Sequence, residues 1–289
     1  MNRKALAALA IVLVIGGTLA SAGSQGGARA FGWPVFGLCV ALAFALNALA
    51  FVPAWAMRSE KFYDLTGSAT YLCVVALALA LGEPDARAGL LAGMIAVWAI
   101  RLGSFLFARI QESGRDPRFD VIKLDFARFL LAFMLQGLWV ALTAGCAIAA
   151  ITSAASAPLG MFAALGALVW LGGFALEVVA DRQKQAFRAD PANRERFIET
   201  GLWGRCRHPN YLGEIVLWAG VALVAWPALV GWQRATLVSP LFVFVLLTRI
   251  SGIPLLEARA RRRWGSDPAF LAYLERTPRL LPRFLSRAT

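Results

Sequence analysis

The chain has 289 residues, 59% of them hydrophobic and 16% charged, with a formal net charge of +12. Soluble domains carry about 25% charged residues, so this composition excludes an ordinary water-soluble globule and favours one membrane domain over several soluble ones. A single histidine excludes a histidine-rich metal centre, and Cys39, Cys73, Cys146 and Cys206 are not spaced as metal ligands.

A helix needs about 20 apolar residues to cross a bilayer. Runs near that length are predicted in chain order at 5–22, 33–57, 65–82, 88–108, 129–152, 158–180, 211–230 and 236–257. The first, with Arg3 and Lys4 ahead of it and Leu19-Ala-Ser-Ala22 at its end, also reads as a signal peptide. The fold class expected is all-α: a polytopic transmembrane helical bundle of about seven or eight spans. It is read as a single membrane domain over 1–289, with N-terminal helices at 1–157 and a C-terminal half at 158–289.

Charge follows the spans. Arg29, Arg87 and Arg234 fall in loops on one side, and Arg101 and Arg249 fall inside runs. The rest of the 29 basic residues lie on the other side: at the N-terminus, at Arg58 and Lys61, in 109–128, in 181–210, and after 257. Basic loops stay cytoplasmic, so both termini are expected inside. This placement argues against nucleic acid as the reason for the excess.

Polar chemistry should lie on that basic side. Arg101, Glu177, Glu214, Arg249 and Glu257 sit in or at the ends of runs, where ionised groups are expensive. They read either as ion pairs between helices or as the lining of a cavity entered from the cytoplasm. Glu177, Asp181, Lys184 and Arg188 are spaced to share one helix face, as a solvated helix end or as that lining. Pro209 suits the first turn of a helix, whose free N–H groups and positive end favour an anion. Arg205 and Arg207 stand just before it. Asn210, Glu214 and Trp218 repeat every four residues on one face, and His208 serves as a structural donor or as a ligand. Arg101, Phe105 and Arg109 share a face of the fourth run. In the tail, Arg259, Arg261, Arg262 and Arg263 suit anionic lipid, or a segment folded back over a nucleotide.

These motifs carry a resemblance. Glu177-Val-Val-Ala-Asp181-Arg-Gln-Lys184, Gly201-Leu-Trp203, Arg207-His-Pro-Asn-Tyr-Leu-Gly-Glu214 and Gly252-Ile-Pro-Leu-Leu-Glu257 resemble the C-terminal domain of steroid 5α-reductases. The likeness is closer to bacterial membrane proteins of unknown function grouped with them, which Tyr63-Asp-Leu-Thr-Gly67 and Arg101-Leu-Gly103 also resemble. The resemblance implies a helical bundle holding NADPH in a cytoplasmic cavity in a bacterial inner membrane. It implies cofactor contacts from Arg101, Asp181, Arg188, Arg196, Asn210 and Trp218 and a catalytic part for Glu214, and His208 is taken as a further cofactor-binding candidate beside them. Where the steroid enzymes place a Tyr three residues before the first of these arginines, this chain has Trp98, which can donate a hydrogen bond but cannot release a proton. Tyr63 and Asp64 are the candidates to replace it.

The function expected is reduction of a C=C bond in an apolar, enone-bearing lipid or steroid-like substrate entering from the bilayer. The Arg-His-Pro segment is also similar to isoprenylcysteine carboxyl methyltransferases, which leaves an S-adenosylmethionine-dependent methyltransferase as one alternative. A non-catalytic lipid-binding or regulatory protein is the other.

Overall fold

The computed structural model describes residues 3–114, 116 and 118–282, without the side chains of Glu112 and Ser113. Within them the apolar runs become helices: α1 (Arg3–Gly23), α2 (Val35–Ala56), α3 (Tyr63–Leu81), α4 (Ala86–Ser113), α5 (Phe126–Thr143), α6 (Gly145–Ile151), α7 (Met161–Ala189), α8 (Pro209–Ala225), α9 (Val238–Val245), α10 (Ile253–Trp264) and α11 (Pro268–Arg276). Eight stretches of the described residues are long and apolar enough to cross a membrane. Leu165, Leu168 and Leu171 on α7 leave about half of their surface uncovered. Such rows belong against lipid, since a soluble fold would bury them.

Helix ends follow local chemistry. Asp85 caps α4 by accepting from the Ala88 N–H at 2.8 Å, and Asp125 caps α5 by accepting from the Arg128 N–H at 3.0 Å. Gly114 ends α4 in the left-handed region. Two runs read as single spans are interrupted. The fifth breaks at Ala144 into α5 and the short α6. The eighth is a 3-10 turn at Gly231–Leu237, then α9, a π-turn at Leu246–Ile250, and α10 after Ser251 and Gly252. A two-stranded hairpin, β1 (Arg29–Ala30) with β2 (Trp33–Pro34), fills the first loop. Phe31 and Gly32 between its strands both take positive φ, as a tight hairpin turn requires.

The chain forms two compact units, Met1–Gly166 with Val221–Ser239, and Ala167–Gly220 with Pro240–Thr289. In the first, Phe51, Phe119, Phe129 and Phe133 form an aromatic core joining α2, α5 and the loop before α5. Their rings meet edge to face at 5.3–6.1 Å. Arg87, 2% exposed, is held by main-chain oxygens: its guanidinium donates to the carbonyls of Ala157 (3.2 Å), Pro158 (2.6 Å) and Val224. In the second unit α7 and α8 cross backbone to backbone. A Cβ on Gly173 would lie 2.5 Å from the Leu217 nitrogen, and one on Gly213 would lie 2.6 Å from the Glu177 nitrogen. Only glycine permits so close a crossing.

Candidate functional site

The second unit gathers most of the residues singled out above. The glycine crossing brings the C-terminal half of α7 against the start of α8. There Asn210 Nδ2 donates to Asp181 Oδ1 at 3.2 Å. Asp181 and Glu177 are buried, 6% and 3% exposed. Glu214, one turn beyond Asn210, is half-buried, and Trp218, a further turn on, is buried. The Gly201–Gly204 3-10 turn docks on α7: the Leu202 N–H donates to Gln183 Oε1 at 3.0 Å and Trp203 Nε1 donates to the Ala180 carbonyl at 3.0 Å. Gly201 has a φ of 61°, and a Cβ there would meet Gln183 at 2.7 Å. Lys184 lies over the Trp203 ring at 4.5 Å.

Before α8, Arg207 and His208 meet Glu257 of α10. Arg207 Nη1 is 2.8 Å and His208 Nε2 is 3.6 Å from Glu257 Oε1, while Arg279 Nη2 is 2.8 Å from Oε2. The segment after α11 closes this side. The Arg207 N–H donates to the Pro278 carbonyl at 2.9 Å, and the Cys206 thiol donates to the Leu280 carbonyl at 2.8 Å. Burial pushes the His208 pKa below the usual histidine value. Glu257 opposes this, and Lys184 and Arg207 reinforce it. The ring is therefore neutral at pH 7. Both His208 nitrogens, Asn210 Oδ1 and Arg207 Nε are buried with no hydrogen-bond partner among the described residues. Buried polar atoms are almost always partnered, so this concentration at one helix start singles the place out as the candidate site.

Arg188 and Arg196 are exposed on the same unit. An aromatic cluster covers the 190–200 segment. Phe197 packs on Trp264, Phe270 and Tyr273 at 5.1–6.0 Å, and Tyr273 donates its hydroxyl to the Trp203 carbonyl at 2.8 Å. The fold thus ties 190–208 to α10 and α11.

The remaining candidates belong to the first unit. Tyr63 opens α3 inside the aromatic core, donating its hydroxyl to the Ala132 carbonyl at 2.9 Å. Asp64 lies 3.6 Å from Arg118 and 3.7 Å from Arg109. Arg118 also donates through Nε to Asp116 at 2.7 Å, and Lys123 pairs with the buried Glu60 at 2.8 Å. Burial raises the Glu60 pKa, but Lys123 and the Asp116 N–H outweigh it, leaving the carboxyl below its usual range. Arg101 is half-buried and stacks over Phe105 at 5.3 Å. Trp98 is buried with its ring edge-on to Tyr71 at 5.1 Å. Sequence reading missed the Glu60–Lys123 and Asp116–Arg118 pairs and the second arginine on Glu257. Arg279 lies 22 residues from Glu257, beyond any helical spacing that could announce it.

The fold and charge distribution define a polytopic helical integral membrane protein. The family described as Protein of unknown function (DUF1295) matches residues 50–277, and the chain belongs to that family. No curated protein and no solved structure matches it.

Proposed function

We propose that the chain is a bacterial inner-membrane oxidoreductase that uses NADPH to reduce a C=C bond of an apolar, enone-bearing lipid or steroid-like molecule, with both termini cytoplasmic. The observation that carries this reading is the set of buried, unpartnered polar atoms on Arg207, His208 and Asn210 at the start of α8, beside the Asp181–Asn210 pair. That donor and acceptor set fits a nucleotide. NADPH, when bound, supplies the hydride. Asp181 and Asn210 would hold its hydroxyl and amide groups, since together they offer a carboxylate and a carboxamide. Arg188 and Arg196 would hold its phosphates, supported by the positive end of α8. Glu214 and Trp218, on successive turns of the same helix, would position the reacting ring.

Tyr63 would offer its hydroxyl proton to a carbonyl oxygen as negative charge builds there. It must first give up the Ala132 carbonyl to do so. Asp64, placed between two guanidinium groups, would orient rather than transfer.

The test is thermal stabilisation of the detergent-purified protein. NADPH at 100 times its Kd should stabilise by about 2.7 kcal/mol, and Asn210→Ala and Arg188→Ala should each reduce the effect. Stabilisation by S-adenosylmethionine alone would replace the reductase with a methyltransferase. No response to either would favour a non-catalytic lipid-binding protein.

A further inference from the structure

Two carboxamides of the first unit take no part in anything described so far. Asn47 lies near the middle of α2 with 0% of its surface exposed. Its Nδ2 donates to the Ala43 carbonyl at 2.9 Å and to Thr70 Oγ1 at 3.2 Å. The Thr70 hydroxyl spends its own proton on the Thr66 carbonyl at 2.7 Å, so its oxygen is free only to accept. Both neighbours of Asn47 Nδ2 are therefore acceptors, which fixes the amide orientation. Asn47 Oδ1 is left buried with no hydrogen-bond partner among the described residues.

Gln136 on α5 repeats the arrangement. Its Nε2 donates to the Tyr63 carbonyl at 3.1 Å. The side chain lies flat on Gly67, where a Cβ would come within 2.6 Å of Nε2. Gln136 Oε1 is likewise buried without a partner among the described residues.

Tyr63, Gly67 and Thr70 fall on one face of α3. That face is thus flanked by two neutral acceptors inside the apolar lengths of α2 and α5. Such groups are unfavourable in hydrocarbon, and a leucine at either place would satisfy the span equally well. Neutral carbonyl oxygens attract a hydrogen-bond donor and repel a carboxylate or phosphate. Asn47 is nine residues from the end of α2, so it lies about 13 Å inside that helix. A headgroup held at the membrane surface does not reach it.

We propose that this face of α3 is a binding site for an apolar molecule carrying a hydroxyl, which donates to Asn47 Oδ1. That oxygen is sealed in this structure, so the ligand enters from the bilayer as α3 parts from α2 or α5. The gain of the missing hydrogen bond favours the parted form only when a donor is present. This inference stands apart from the nucleotide reading of the second unit.

The experiment measures melting of the full chain in detergent with farnesol and with 1-hexadecanol, each against its methyl ether. The alcohols are expected to raise the melting temperature and the ethers to leave it unchanged. Asn47→Leu should weaken apparent alcohol affinity about tenfold, while Asn47→Leu without ligand melts at or above wild type. Equal shifts from alcohol and ether, or no shift from either alcohol, would overturn the proposal. So would an Asn47→Leu protein that melts lower yet keeps the alcohol response, because the carboxamide would then be structural only. NADPH is added to the same samples. A response to it without an alcohol effect removes this site and spares the reductase, and the reverse outcome does the opposite.

Discussion

Glu257 forms an ion pair with Arg207, accepts from Arg279 and faces His208. Glu257→Gln keeps its shape but leaves mostly buried Arg207 uncompensated. Removing one partner of a buried pair costs about 3–5 kcal/mol, so we expect a loss near the lower end, read by denaturant unfolding in micelles. His208 gives a pH signature of definite sign. Its folded pKa lies below the unfolded value of 6.5. The unfolded chain therefore takes up the proton first, and the histidine contribution is complete above pH 6.5 and lost as pH falls toward the folded value. His208→Gln should flatten that part of the stability profile. Glu60 and Asp116 also have folded values below their unfolded ones, burial in each being outweighed by basic and N–H partners. Their contributions fade separately, as pH drops below the unfolded values of 4.5 for Glu60 and 3.8 for Asp116.

At the level of elements, the α7–α8 crossing decides whether Asp181 and Asn210 meet. Gly213→Ala puts a methyl group where the Glu177 main chain stands. Overpacking of this kind costs about 1–3 kcal/mol. It should also weaken any nucleotide response more than an alanine on the lipid face of α7, such as Leu168→Ala. Helix positions were legible because apolar runs report the solvent around them, and lipid demands a minimum length. The interruptions were not, because hydropathy says nothing about which carbonyl each N–H finds. Gly145 and the Ser251-Gly-Ile-Pro254 sequence carried the breaks, but each is also tolerated inside a transmembrane helix. The stripe from Glu177 to Arg188 was legible because one helix sets its spacing. Asn47 and Gln136 were not, since a lone amide in an apolar run acquires meaning only from the neighbour it touches.

For the whole molecule, the charge bias predicts topology. Reporters fused after residue 282 or placed in 190–200 should be active only if they function in the cytoplasm. One inserted at 82–85 should be active only if it functions outside. The opposite pattern would invert the orientation proposed here. Exposed Phe31, Trp33, Trp226 and Trp232 belong to the loops on the side poor in arginine, where aromatic rings suit the boundary between lipid and water. Replacing Trp33 and Trp232 together by Ala should loosen anchoring at that boundary without altering ligand responses, as judged by hydrogen exchange.

Arg87 has a consequence for biogenesis. Its donors are made early, while its acceptors at 157, 158 and 224 are translated much later. Until the ribosome has delivered Val224, the guanidinium has no complete set of oxygens, and the nascent helices carry an unsheltered cation at the membrane edge. Chains truncated before that point should be degraded faster in a pulse-chase than chains ending just after α9, and Arg87→Leu should erase the difference.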